Sequence, residues 1–69
     1  MEMQPVTSSQ VDSIGYDEES QTMHVQFHKG GLYEYSDVTP EIHNQLLNAS
    51  SIGSQLKSIV AGLPYHKLG

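Results

Sequence analysis

The fold is decided by residues 23–36, which read MHVQFHKGGLYEYS. In the first half of this stretch, Met23, Val25 and Phe27 alternate with polar side chains, which is the period of a half-buried strand. The two glycines that follow supply a tight turn, and the aromatic residues after them favour a returning strand. The stretch therefore predicts a β-hairpin.

A third strand and a helix are predicted on the two sides of this hairpin. Residues 9–16 permit a strand, and the polar residues 17–20 are typical of the turn that would join it to the hairpin. Downstream, Thr39 is a favourable N-cap residue and Pro40 suits the first helical position. We therefore expect a helix over residues 41–48.

A second helix is expected over residues 52–61, where the apolar residues follow the spacing of one helix face. Gly62 is a typical residue just past the end of a helix. Together these elements predict a small α+β domain, in which a three-stranded antiparallel sheet is followed by two short helices. We expect the domain to span residues 8–67, with residues 1–7 as a loose arm.

The composition excludes several classes of protein. The chain has 69 residues, which is one domain near the lower size limit for a stable hydrophobic core. It has no cysteine, which excludes disulfides and cysteine-based zinc sites. Eight acidic residues against three lysines give a formal charge of −5, which disfavours an electrostatic grip on nucleic acid. No secretion signal or membrane span is recognisable, so we expect a cytoplasmic protein.

Neither catalysis nor metal binding is expected from the sequence. The chain has no thiol, no phosphate-binding glycine loop and no nucleophile elbow, so we expect no enzymatic activity and no cofactor. His24 and His28 are four residues apart, but on a strand this spacing separates them by roughly 13 Å. Because metal–imidazole bonds are roughly 2 Å long, the pair could not hold one ion.

A set of short motifs in a fixed order resembles the KTSC domain family. The motifs are SIGYD at residues 13–17, YEY at 33–35, DVTP at 37–40, LLNAS at 46–50 and PY at 64–65. The family takes its name from its occurrence at the C-terminus of some lysyl-tRNA synthetases, and it also occurs as free-standing bacterial or phage proteins. The resemblance implies no established activity. RNA binding is the role suggested by that association, although this chain lacks basic and aromatic residues at 54–56 and 61–63.

Hairpin register decides the role of the two hairpin tyrosines. If Lys29 and Gly30 form a two-residue turn, Tyr33 and Tyr35 share an exposed face with three polar residues of the first strand. A shift of one residue places the tyrosines beside Val25 and Phe27 in the core instead. Both registers are open at this point. The candidate binding surface comprises Tyr33, Tyr35, His24, Gln26 and His28, together with Lys57 and Tyr65 from the C-terminal segment.

These observations predict a non-catalytic binding module. A protein partner or a second copy of the chain is favoured, because a small body of charge −5 repels polyanions. If the chain is phage-encoded, an acidic regulator of a host protein would fit its charge. Two alternatives stay open: an RNA-binding module that stacks bases on its tyrosines, and an oligomer that binds a small ligand between subunits.

Overall fold

The structure is a computed structural model that describes residues 2–69. The elements along the chain are the strands β1 (Met3–Pro5), β2 (Val11–Asp17), β3 (Thr22–Phe27) and β4 (Gly31–Tyr35), the helices α1 (Pro40–Leu47) and α2 (Ile52–Val60), and the strand β5 (Tyr65–Lys67). The strands form one sheet in the order β1-β2-β3-β4-β5, and every neighbouring pair is antiparallel. The predicted α+β class is therefore confirmed.

The sheet has five strands in the described chain, whereas three were predicted. Residues 3–5 were expected in a loose arm, but they form β1, in which Met3 lies opposite Gly15 of β2. Residues 65–67 form β5, which pairs with β4. Both added strands have only three residues and stand at the edges of the sheet. Strands this short show no alternation of apolar and polar residues that could predict them. They form because a neighbouring strand supplies their hydrogen bonds.

The hairpin adopts the second of the two predicted registers. Its loop contains three residues, and Phe27 lies opposite Gly31, which has a φ of 84° that favours glycine. Tyr33 therefore lies opposite Val25, and the face shared by the tyrosines is the one that carries the core. The register based on a two-residue turn is wrong. The longer loop leaves the alternating apolar residues of β3 on the buried face.

The core lies between one face of the sheet and the two helices. Its strand residues are Val11, Ile14, Met23, Val25 and Tyr35, and they pack with Val38, Leu46 and Leu56 from the segment containing both helices. The side chain of Thr39 accepts a hydrogen bond from the N–H of Ile42 at 3.3 Å, which confirms the predicted N-cap of α1. After α2, Gly62 has a φ of 96° and ends the helical segment as predicted.

The helices are short. With eight residues in α1 and nine in α2, no helix within residues 2–69 is long and apolar enough to cross a membrane.

Candidate binding groove

Three tyrosines from the last two strands of the sheet meet on the face that carries the core. Tyr33 and Tyr35 lie two residues apart on β4, and Tyr65 lies opposite Tyr35 on β5. The ring centroids of Tyr33 and Tyr35 are 6.3 Å apart, and the centroid of Tyr65 is 6.1 Å from each of the other two. These distances lie in the range at which aromatic rings attract one another.

The three rings line an open groove at one side of the helices. Its lining is formed by Phe27, Gly30, Tyr33, Tyr35, Val60 and Tyr65, and we call it the tyrosine groove. It has a volume of about 410 Å³. Within this lining, Phe27 and Tyr33 pack edge to face, with ring centroids 5.6 Å apart and perpendicular planes. Val60 is at the last position of α2, so the end of that helix forms the opposite wall.

Exposure increases across the groove from the centre of the sheet toward its edge. Val25 on β3 is fully buried, and Tyr35 on β4 is 7% exposed. Tyr65 on β5 is 60% exposed. The helical layer therefore covers β2 and β3 more completely than it covers β5. Tyr35 completes the core, whereas Tyr65 offers aromatic surface to solvent.

Tyr35 presents a neutral phenol to the groove. Burial raises the pKa of Tyr35 above its usual value of 10.0, and the neighbouring hydroxyls of Tyr33 and Tyr65 raise it further. The phenol therefore stays protonated at physiological pH. The groove is an aromatic surface whose polar atoms can donate or accept hydrogen bonds.

A second depression continues from the tyrosine groove. Its lining is formed by Ser9, Gln10, Phe27, His28, Lys29, Gly30 and Lys57, and we call it the lysine cleft. The two depressions share Phe27 and Gly30, and the cleft has a volume of about 340 Å³. The remaining lysine, Lys67, lies opposite Tyr33 on β5, beside the groove. Two of the three lysines of the chain thus line the cleft, and the third lies beside the groove.

The acidic residues are located elsewhere. None of them lines the groove or the cleft in the described part of the chain. Glu2 and Glu18 line a separate depression with Tyr16 and His43. The acidic residue placed nearest to the cleft by a side-chain contact is Asp12, whose carboxylate lies 3.8 Å from Nδ1 of His28. Although the net charge is −5, the lysines are therefore concentrated at one surface of the domain.

The predicted candidate surface is divided between the two faces of the sheet. His24 and Gln26 lie on the face opposite the tyrosines, so their predicted grouping with Tyr33 and Tyr35 is wrong. Nε2 of His24 is 2.9 Å from the Glu34 carboxylate. The amide of Gln26 donates to the main-chain oxygen of Phe27 at 3.1 Å. The cause is the hairpin register, since a shift of one residue exchanges the two faces.

The other candidate residues lie at the groove and the cleft. Tyr33, Tyr35 and Tyr65 line the groove, and Lys57 lines the cleft. His28 is in the hairpin loop and reaches the cleft from there, while its Nε2 is 3.1 Å from the main-chain oxygen of Ser8. The structure therefore joins the tyrosines to the C-terminal candidates, although these are about thirty residues away in the sequence.

The comparisons with known proteins identify the family of the chain. The sequence model of the KTSC domain matches residues 7–62, which is most of the chain. The chain belongs to the KTSC domain family. A crystal structure of a KTSC domain protein from Yersinia pestis has the same fold, with a TM-score of 0.94 and 33% sequence identity. The alignment covers 99% of this chain and 97% of the Yersinia protein. The predicted resemblance is confirmed.

Related sequences are both free-standing and attached to a larger protein. An uncharacterized protein of Stutzerimonas stutzeri is 42% identical over 52 residues, which cover 75% of this chain and 73% of that protein. A protein of Tsukamurella paurometabola is 41% identical over 58 residues, covering 84% of this chain and 87% of the relative. A lysine–tRNA ligase of Nostoc punctiforme is 32% identical over 54 residues, which cover 78% of this KTSC domain but 10% of the ligase.

Neither of the two free-standing relatives has a name that refers to a catalytic activity. Within residues 2–69 of this KTSC domain, no group of three or more histidine, aspartate or glutamate side chains could hold a metal ion. His43 stacks on Tyr16, with ring centroids 4.2 Å apart and planes at 13°. Burial lowers the pKa of His43, which favours the neutral ring in this contact.

Several residues of the surface were not predicted as binding residues, and the sequence had assigned three of them to other roles. Phe27 was assigned to the core, Val60 to the apolar stripe of α2, and Lys29 to the hairpin turn. The position of Lys29 follows in part from the loop length. In a three-residue loop its neighbour Gly30 lies beside Phe27, which brings Lys29 to the same surface. No local signal exists for Val60. Its position at the groove depends on how α2 packs on the sheet.

Proposed function

We propose that this KTSC domain is a non-catalytic binding module, and that a segment of a protein partner occupies its tyrosine groove. The observation that carries the proposal is the 60% exposure of Tyr65 beside two further tyrosines. Tyrosine is enriched at protein interfaces because a rigid ring buries a large area at a small entropic cost. Tyr35 belongs to the core and Tyr33 packs against it, so these two rings need little reorganisation on binding.

The chemistry of the groove supports binding rather than catalysis. Its lining side chains are aromatic or aliphatic, and the three phenols are its only titratable groups within the part of the chain that the structure describes. Burial raises the pKa of Tyr35, which makes this phenol a poorer proton donor at neutral pH. Among residues 2–69, no nucleophile with an adjacent base lines the groove. These properties fit a surface that recognises apolar side chains.

The test is a selection of peptides from a random display library on the immobilised domain. Selected peptides are then measured on the wild type, on Tyr65→Ala and on Leu47→Ala. Leu47 is a matched control because it is also an exposed apolar residue, at 44%, but lies on α1 outside the groove. We expect selected peptides to bind the wild type and Leu47→Ala but not Tyr65→Ala. Failure to select any peptide that depends on Tyr65 would overturn the proposal.

Single-stranded RNA is the second candidate ligand, because the three lysines are collected beside the tyrosines. Bases can stack on an exposed ring such as Tyr65 while the lysines contact phosphates. This distribution offsets locally the repulsion that the net charge of −5 predicts. The lysine–tRNA ligase of Nostoc punctiforme, in which a related segment occurs, is a protein with an RNA substrate in its name.

The RNA candidate is tested by fluorescence anisotropy of labelled oligouridine and oligoadenosine at low salt. Three phosphate contacts predict that log K falls with log salt with a slope of about −2 for single strands. Lys57→Gln and Lys67→Gln should each reduce that slope. Lys29 is left unchanged in both variants. No anisotropy change at high micromolar protein would exclude this candidate.

A further inference from the structure

The outer edge of β5 carries backbone groups that have no partner among residues 2–69, directly beside the tyrosine groove. β5 is the last strand in the sheet order, and its three residues are exposed. On its inner side, the N–H of Ser36 donates to the oxygen of Pro64, and the N–H of Leu68 donates to the oxygen of Leu32. Because antiparallel bonds alternate, Glu34 and His66 form the bonded pair between these two positions.

The alternation determines which groups of β5 point away from the sheet. The N–H and C=O groups of Tyr65 and Lys67 lie in the non-bonded pairs, so they face the open edge. The side chains of the same two residues lie on the groove face, opposite Tyr35 and Tyr33. A strand added at this edge would therefore meet two donors, two acceptors and the side of the groove at the same time.

We propose that the partner segment binds as a sixth strand beside β5 and that this segment is acidic. The proposal rests on the proposed function, since it names the chemistry and the conformation of the segment that enters the groove. An extended peptide offers alternating N–H and C=O groups that match those of Tyr65 and Lys67. A nucleic acid has phosphate oxygens to accept from the two N–H groups, but it lacks an equally regular row of donors for the two carbonyls.

The acidic character follows from the charge distribution around the edge. Lys67 belongs to β5 itself, and Lys29 and Lys57 line the lysine cleft that continues from the groove. No acidic residue lines either depression in the described part of the chain. Carboxylates on the added strand would lie beside the ammonium group of Lys67 without meeting like charge in the lining of the adjoining groove.

The opposite edge of the sheet is less suited to the same role. β1 contains Pro5, which has no N–H to donate, and Pro is one of the means by which edge strands avoid pairing. Lys67 on β5 acts differently. Its charge discourages pairing with a basic strand while it attracts an acidic one. The two edges of this domain thus differ in what they can accept.

The test uses peptides selected on the wild-type domain and depends on backbone methylation. Each selected peptide is synthesised with N-methyl groups on one alternate set of residues, and then on the other set. N-methylation removes a donor and leaves every side chain in place. We expect one set to weaken binding at least about tenfold, because it removes the peptide's donors to the carbonyls of both Tyr65 and Lys67, and the other set to leave it unchanged. We also expect the selected peptides to be enriched in aspartate and glutamate. Replacing these acidic residues of the peptide by lysine should abolish binding.

The outcomes separate this inference from the proposed function. Peptides that require Tyr65 but tolerate both methylated sets would keep the groove as a binding site and overturn strand addition. Selected peptides without acidic enrichment would overturn the charge assignment. Failure to select any Tyr65-dependent peptide overturns the proposed function itself. Binding of oligouridine alone would replace the peptide by RNA.

Amide hydrogen exchange measured by NMR gives an independent readout on the domain. Without peptide, we expect the amide of His66 to be protected by its bond to β4 and the amides of Tyr65 and Lys67 to exchange rapidly. Saturating peptide should protect the latter two at least about tenfold, which corresponds to about 1.4 kcal/mol for each new backbone bond. If both amides are already protected and sedimentation shows a dimer, a second copy occupies the edge and the proposal is wrong.

Discussion

Tyr35 and Tyr65 lie directly opposite each other on β4 and β5, with ring centroids 6.1 Å apart, yet 7% of Tyr35 and 60% of Tyr65 is exposed. One ring closes the core and the other forms the rim of the tyrosine groove. The difference arises because the helical layer covers the inner strands and leaves the edge strand open. The same residue type therefore serves stability on one strand and, in the proposed function, recognition on the next.

Truncation should separate these two roles. Tyr35→Ala is expected to cost about 3–5 kcal/mol, as for other buried aromatic residues, which equals the whole stability expected for a core of this size. Tyr65→Ala should change stability by less than about 0.5–1 kcal/mol. Thermal unfolding followed by circular dichroism measures both. A cooperative transition of Tyr35→Ala close to that of the wild type would contradict the assignment of this ring to the core.

Removing the hydroxyl of Tyr16 should destabilise the domain at the start of the helical segment. This hydroxyl donates to the main-chain oxygen of Val38 at 2.5 Å, which ties β2 to the residues before α1. Tyr16→Phe keeps the ring and loses the bond, so we expect a loss of about 1–2 kcal/mol in urea denaturation. Tyr65→Phe is the matched control and should have no measurable effect. Equal midpoints for the two variants would show that the hydroxyl contributes nothing.

Acid should weaken the fold through His43. Burial lowers its pKa in the folded state below 6.5, so the unfolded chain binds more protons than the folded chain as the pH falls. The contribution of a neutral His43 is therefore complete above pH 6.5 and is lost as the pH falls from 6.5 through the lower folded-state pKa. His43→Phe can still stack on Tyr16 but does not titrate.

The measurement is the free energy of unfolding from urea titrations between neutral and mildly acidic pH. The other three histidines are the same in both proteins, so the difference between wild type and His43→Phe isolates this residue. We expect the wild type to lose stability relative to the variant below pH 6.5. Parallel pH profiles would refute a partly buried neutral imidazole at this position.

The N-caps of the two helices provide a matched pair of substitutions. The Thr39 side chain accepts the N–H of Ile42, whereas Ser51 makes no side-chain cap bond to α2. Thr39→Ala is therefore expected to cost about 1 kcal/mol, and Ser51→Ala much less. Thermal unfolding should show a decrease in Tm of about 4–8 °C for the first variant alone. Similar decreases for both would mean that the cap bond is not what stabilises α1.

The hairpin shows how far the sequence predicts this fold and where the prediction stops. The alternation of Met23, Val25 and Phe27 predicts β3, and the aromatic run after the glycines predicts β4. The loop length is not determined by that pattern, because both a two-residue and a three-residue loop can be built from the same glycines. The register was therefore open, and with it the face on which Tyr33 lies.

The edge strands show a second limit. Residues 3–5 and 65–67 have no apolar alternation, and each becomes a strand only because a neighbour with free hydrogen-bonding groups lies beside it. The tyrosine groove has the same origin. Tyr65 reaches Tyr33 and Tyr35 because β5 returns to the sheet after two helices, a contact between residues about thirty positions apart.

The sequence by itself determined the local elements, the absence of cysteine chemistry and the family of this chain, because periodicity, helix caps and ordered motifs are written in neighbouring residues. Tertiary structure decided which face carries the tyrosines and where the charges lie. Net charge is a sum over the whole chain and does not say where the charges lie. The value of −5 predicted a surface that repels anions. Folding collects all three lysines around one aromatic surface, and only the packed chain brings them there.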